Sequence, residues 1–135
     1  MAHWVSSNHN HADEYMGSSL PFCTGSISVA SNTAQQIKFP YVTRWVQVFN
    51  NHASKGVRVG FTENGVEGNS TLNGTDNYFV VPAGAASARL EVKCISIWVA
   101  GHDNASTCSV VAGYTNIPEN RFLNLTGSEG FEGVG

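Results

Sequence analysis

The chain has 135 residues, a net charge of −3 and a pI near 5.9. That is one domain's worth of sequence, and its seven Lys and Arg are too scattered to form the basic stripe a nucleic-acid partner needs. Apolar residues make up 41% and charged ones 13%, about half the usual charged share, with a polar remainder of Ser, Thr, Asn and Gly that suits an all-β chain with many turns.

The first stretch, residues 1–22, has neither helix nor strand periodicity. It begins MAHWVSSNHNHADEY, without the basic and apolar regions of a signal peptide, so synthesis in a cytoplasm is expected. Trp4, Tyr15 and Met16 are isolated apolar points, and the stretch reads as an arm. No run approaches the roughly 18 apolar residues of a membrane helix, and no membrane partner is expected.

Strand patterns follow at short spacing. Cys23–Ala30 alternates around Ile27 and Val29, and Gln35–Phe39 around Ile37 and Phe39, with Pro40 ending or bending the strand at a sheet edge. Phe39–Gly65 is the centre of the pattern. Thr43–Asn50 and Gly56–Thr62 are rich in Val, Trp and Phe, and the turn-formers NNHASKG between them predict a β-hairpin. Alternation makes Val57, Val59 and Phe61 a core stripe and puts Arg58 outside. The first arm is apolar on both faces, as in a strand covered on both sides.

Glu63–Asn77 is a Gly/Asn segment with two Asn-Gly turn candidates, and helix signals are weak everywhere. Tyr78–Val81 is a strand and Pro82–Ala85 a turn. In Ser87–Lys93, Ala88, Leu90 and Val92 are expected inward; Ile95, Ile97 and Val99 then continue with opposite parity. That switch at Cys94 predicts a bulge or a bend from one sheet to another. Thr107–Ala112 is the last strand. The fold class read from this is all-β: a single antiparallel β-sandwich, jelly-roll or Ig-like, of seven or eight short strands. The expected organisation is an N-terminal arm (1–22), a core (23–113) and an extended C-terminal arm (114–135). That second arm carries Tyr114, Ile117, Phe122, Leu123, Leu125 and Phe131, more large apolar groups than a merely solubilising tail would hold.

Candidate chemistry is sparse. His9-x-His11-x-Asp13 would place three possible metal ligands on one side of an extended strand, but no second ligand cluster supports a closed site, and a polar arm is the expectation. No nucleophile elbow, zinc-protease, Walker or dinucleotide-binding pattern occurs. His52, Asp76, His102 and Asp103 fall in expected loops with nothing to single out a nucleophile and its base, so neither an enzyme nor a cofactor is expected. Three cysteines, Cys23, Cys94 and Cys108, do not make a disulfide framework, although Cys94 and Cys108 on neighbouring strands leave one pairing open. Sequons at Asn69, Asn73, Asn104 and Asn124 fit chance in so Asn-, Ser- and Thr-rich a chain. Trp45, Trp98, Tyr41 and Tyr78 are either a sugar-stacking platform or, more in keeping with their spacing, core and subunit contacts.

The segments FPYVTRWVQVFN, RVGFTENGV, NYFVV and TNIPENRFLNLTGSEGFEGVG resemble the small β-sandwich decoration, or cement, proteins of viral capsids, especially those of tailed phages. The likeness covers roughly residues 21–135. It implies a non-enzymatic virion protein, a sandwich seated on a shell of major capsid protein, often as a homotrimer, with arms reaching neighbouring subunits. On that reading the expected interface residues are Trp4, Tyr15, Tyr114, Ile117, Phe122, Leu123, Leu125 and Phe131. Two other expectations stand beside it: a lectin-like or receptor-binding module of a fibre or spike, and a self-assembling coat subunit.

Overall fold

The structure, a computed structural model, describes residues 20–69, 74 and 76–122. Among these residues seven strands form two antiparallel sheets packed face to face. They are β1 (Leu20–Val29), β2 (Gln35–Lys38), β3 (Tyr41–Asn50), β4 (Val57–Gly60), β5 (Tyr78–Val81), β6 (Ser96–Gly101) and β7 (Ser106–Pro118). One sheet has the order β1-β7-β3 and the other β2-β6-β4-β5. The alternation in the sequence explains the layering. Val46, Val48, Val110 and Ala112 from the first sheet meet Ile37, Val57, Val59, Val81, Ile97 and Val99 from the second, all buried.

Two segments cross between the sheets side by side. β2 passes into β3 through Phe39 and Pro40, and residues 85–94 pass into β6 through Ile95. The two stay paired across the corner: Phe39 N–H donates to the Ile95 carbonyl (2.9 Å) and Thr43 N–H to the Cys94 carbonyl (3.0 Å). Before the corner, residues 85–94 line β3, with isolated bridges Phe49–Ala86 and Val46–Leu90. After it, β6 lies between β2 and β4. The parity switch at Cys94 is therefore a change of sheet.

The expected hairpin between β3 and β4 does not exist. β3 is paired on both edges, by β7 on one side and residues 85–94 on the other, so no edge is left for β4. β4 instead enters the opposite sheet, between β6 and β5. Asn50 pins the crossing. Its side-chain amide donates to the carbonyls of Lys55 (2.7 Å) and Val81 (2.9 Å), and its Oδ1 accepts from His52 N–H (2.9 Å).

Four further expectations change. Within Glu63–Asn77 a short helix, α1 (Glu63–Glu67), is capped by the Thr62 hydroxyl and closed by Gly68 at a φ of 84°. Arg58 points to the outer face as alternation requires, yet it is only 6% exposed. Residues 87–93 form no regular strand; Ser87 is buried, Ala88 is exposed, and Leu90 and Val92 are half-buried. The boundaries of the core move outward too. β1 starts at Leu20 and β7 runs on to Pro118, because Leu20 pairs with Tyr114 and Tyr41 with Pro118.

Candidate interaction surface

Register in the three-stranded sheet defines its two faces. Phe22, Ala112 and Val46 form one row and Thr24, Val110 and Val48 another, both on the core side. The intervening rows, Pro21–Gly113–Trp45, Cys23–Val111–Gln47 and Ser109–Phe49, point away from the core. None of those eight positions carries a charge. Trp45, Gln47, Phe49, Ser109 and Val111 are half-buried, and Pro21 and Cys23 are exposed. Gly113 and Ser109 of the middle strand set small residues beside the two rings of β3. Among the described residues charge appears at the rim, where Arg89 lies 5.5 Å from the centroid of the Trp45 ring. There Glu91 pairs with Arg44 (2.6 Å) and Arg89 (3.1 Å). The Arg44 hydrogen bond is the main cause that holds the Glu91 carboxyl below its ordinary range.

The outer face of the other sheet is covered. α1 lies over β4 at Gly60, where a β-carbon would stand 2.5 Å from Val66 Cγ2. Beside it Arg58 is enclosed. Its Nε donates to His102 Nδ1 (3.1 Å), Nη1 to the Val66 carbonyl (3.2 Å) and Nη2 to Asp103 Oδ1 (3.4 Å), and its guanidinium sits 4.4 Å above the Tyr78 ring. Asp103 is held at a φ of 61°, with its N–H donating to Asn32 Oδ1. The network joins α1, β4, β5 and the β6–β7 turn, and every Arg58 contact in it is to a group of the chain itself. The contrast between the sheets is plain: one outer face is roofed by a helix and an ion network, and the other has eight uncharged positions and is bare of any described element.

The residues singled out from the sequence are dispersed. Tyr114 and Ile117 lie in β7 and are 4% and 0% exposed, so they are core residues rather than contacts for a neighbour. The Tyr114 ring packs with Phe22, Phe39 and Tyr41 at centroid distances of 5.7, 5.8 and 6.0 Å, and burial pushes its hydroxyl up to about 12. Phe122 is half-buried after a 3₁₀ turn, Glu119–Arg121, that follows β7. Trp4, Tyr15, His9, His11, Asp13, Leu123, Leu125 and Phe131 lie outside the described residues. Of the four aromatics considered as a sugar platform, Trp45 is on one outer face, Trp98 and Tyr78 on the other, and Tyr41 packs against Tyr114. They build no common platform.

His52 Nδ1 accepts from the N–H groups of Ser54 and Lys55, both at 3.0 Å, which closes the loop after β3. No group of three or more potential metal ligands converges among the described residues. Cys94 and Cys108 are buried free thiols. Cys94 bonds with Thr43 and Cys108 is in register with Asn50, seven residues further along β3. That is roughly 23 Å of extended chain, against the 7 Å or less a disulfide spans. Burial raises both thiols to about 11.

The uncharged face was half-visible in the sequence. The apolar character of β3 on both sides is the signal; Ser109, Val111 and Gly113 in the middle of β7 carry none by themselves, because these uncharged positions acquire meaning only once Trp45 and Phe49 lie beside them. No protein-family model, curated protein or solved structure matches this chain.

Proposed function

We propose that this protein is a non-catalytic structural protein that docks on a larger protein shell through the outer face of its three-stranded sheet, and that the shell is the capsid of a virus, built of major capsid protein. The observation that carries the docking role is the face bare of any described element, with Trp45 and Phe49 along its β3 side, on a molecule whose opposite face is roofed. The viral setting rests on the resemblance of the sequence to capsid decoration proteins.

The size of the face supports a lattice partner over a single one. Three strands about 4.8 Å apart and three rows about 6.8 Å apart outline an area of roughly 150–300 Å². A stable binary complex usually takes about 800 Å² from each partner. One such contact is weak, but contacts repeated over a lattice and supplemented by terminal segments reinforce one another through effective concentration. A shell with many equivalent sites uses a small face well.

The test is co-sedimentation of the full chain with shells assembled from the major capsid protein of the same genome. Saturable binding is expected, and the double substitution Trp45→Glu, Phe49→Glu removes it while leaving the circular dichroism of the fold unchanged. Binding that survives both substitutions would sink the assignment of this face. A chain that never sediments with the shells would sink the capsid role.

A further inference from the structure

We propose that β5 is a docking edge for the β5 strand of a second copy of this chain, the two pairing antiparallel about a two-fold axis. Among the described residues the sandwich has four outer edges, and three of them are blunted. β1 contains Pro21 and is broken between Thr24 and Ile27, where Ser26 has a φ of 54°. Residues 85–94, along β3, carry Arg89, Glu91 and Lys93 in alternation and pair only through isolated bridges. β2 ends in Lys38 and is followed by Pro40. Charge, proline and irregularity are the devices by which sheet proteins keep an edge from pairing with another chain.

β5 has none of them. It is the outermost strand of its sheet, reads Tyr-Phe-Val-Val, and keeps regular register with β4 throughout. Phe79 and Val80 remain 36% and 37% exposed, which makes them two of the three exposed large hydrophobics among the described residues. Next to them an open groove of about 310 Å³ is lined by Phe79, Val80, Pro82, Ala86, Ala88 and Leu90, with no charged side chain in its wall.

The occupant follows from charge and symmetry. A two-fold axis brings each side chain close to its own copy, so a charged edge repels itself and an uncharged apolar edge is self-complementary. Opposed residues in an antiparallel pair share a face. Phe79, opposite Val59, is on the core side and Val80, opposite Arg58, on the outer side. The axis therefore passes at Phe79 or at Val80, not between them, and position 80 of one copy lies within a residue or two of position 80 of the other. Pairing extends the four-stranded sheet across the axis and places the exposed Phe79 of each copy over the groove of its partner. Four residues and a shallow groove fall well short of about 800 Å² per partner, so the pair is weak and concentration-dependent. It is a two-fold pair, not the trimer that the sequence resemblance implies.

The experiment measures the mass of the full chain by sedimentation equilibrium from roughly 10 µM to 1 mM, where interfaces this small associate. The expected mass rises from 14.4 kDa toward twice that value. Val80→Lys and Val80→Glu, both at a position too exposed to threaten the fold, each hold the chain at one-chain mass, and an equimolar mixture of the two re-associates because opposite charges now meet across the axis. A parent chain that stays at one-chain mass or reaches three, a Val80→Lys chain that associates like the parent, or a mixture that stays apart overturns the proposal. It is independent of the shell-docking role, since Trp45→Glu, Phe49→Glu leaves the pair intact.

Discussion

Arg58→Ala tests whether the roof over the four-stranded sheet is held by the buried guanidinium. α1 has only five residues, too short to persist by itself, and its last carbonyls have no partners within the helix. Arg58 Nη1 supplies one to Val66, and its positive charge sits at the helix C-terminal end, where the helix dipole favours a cation. Removing it leaves a buried carbonyl short of a donor, a loss of about 1–3 kcal/mol. The lost stacking on Tyr78 adds about 1 kcal/mol and the lost packing of the aliphatic stem about 1–2 kcal/mol. The ion pair with Asp103 contributes little, because that carboxylate is 65% exposed. Relief from burying a charge offsets part of the loss. The net expectation is about 3 kcal/mol, read as a lower urea midpoint at unchanged slope, or about 10 °C in Tm for a domain of this size. Hydrogen exchange adds a local readout: amides of Val66 and Glu67 lose protection before those of β7. Arg58→Met keeps the stem without the donors and recovers part of the stability. A loss below 1 kcal/mol, or helix amides that exchange as in the parent, would refute the account.

Two further outcomes follow from the same geometry and from the buried acids. Gly60→Ala is destabilising by about 1–3 kcal/mol, because its new methyl group must displace Val66 Cγ2 at 2.5 Å and the Asn77 carbonyl oxygen at 2.9 Å; thermal melts of the variant check it. Alkaline pH weakens the fold through Cys94, Cys108 and Tyr114, whose folded-state values are raised from about 9 to about 11 for the thiols and from about 10 to about 12 for the phenol. The unfolded chain releases these protons first, so stability is intact below about pH 9 and falls between pH 9 and 12, by at most about 2–3 kcal/mol per group. Urea midpoints measured from pH 8 to 11 check the window, and a Cys94→Ala, Cys108→Ala chain shows a flatter decline.

Much of the sandwich was legible because burial on one face leaves a period of two in the chain. Ile37, Val57, Val59, Ile97 and Val99 are core residues on that pattern alone, and all are buried. The parity change after Cys94 marked a change of sheet for the same reason: a strand that passes to the opposite layer must turn its other side inward. The candidate surface was less legible. Trp45 and Phe49 were visible as the second apolar face of β3, but Gly113, Val111 and Ser109 join them only through pairing across 60 to 68 residues of chain.

What the sequence determined by itself was therefore local: most of the strand segments, 87–93 being the exception, which side of each is apolar, and that two layers would be needed to bury those sides. Tertiary structure decided which strands pair. β3 and β4 are separated by a loop suited to a hairpin, yet they lie in opposite sheets, since β7 and residues 85–94 already occupy both edges of β3. It also decided what counts as outside. Alternation correctly turns Arg58 away from the core, but a helix too short to leave a periodic trace covers it there and makes a solvent position into a buried one. Periodicity reports the side of a strand, whereas burial depends on what the rest of the chain lays over that side.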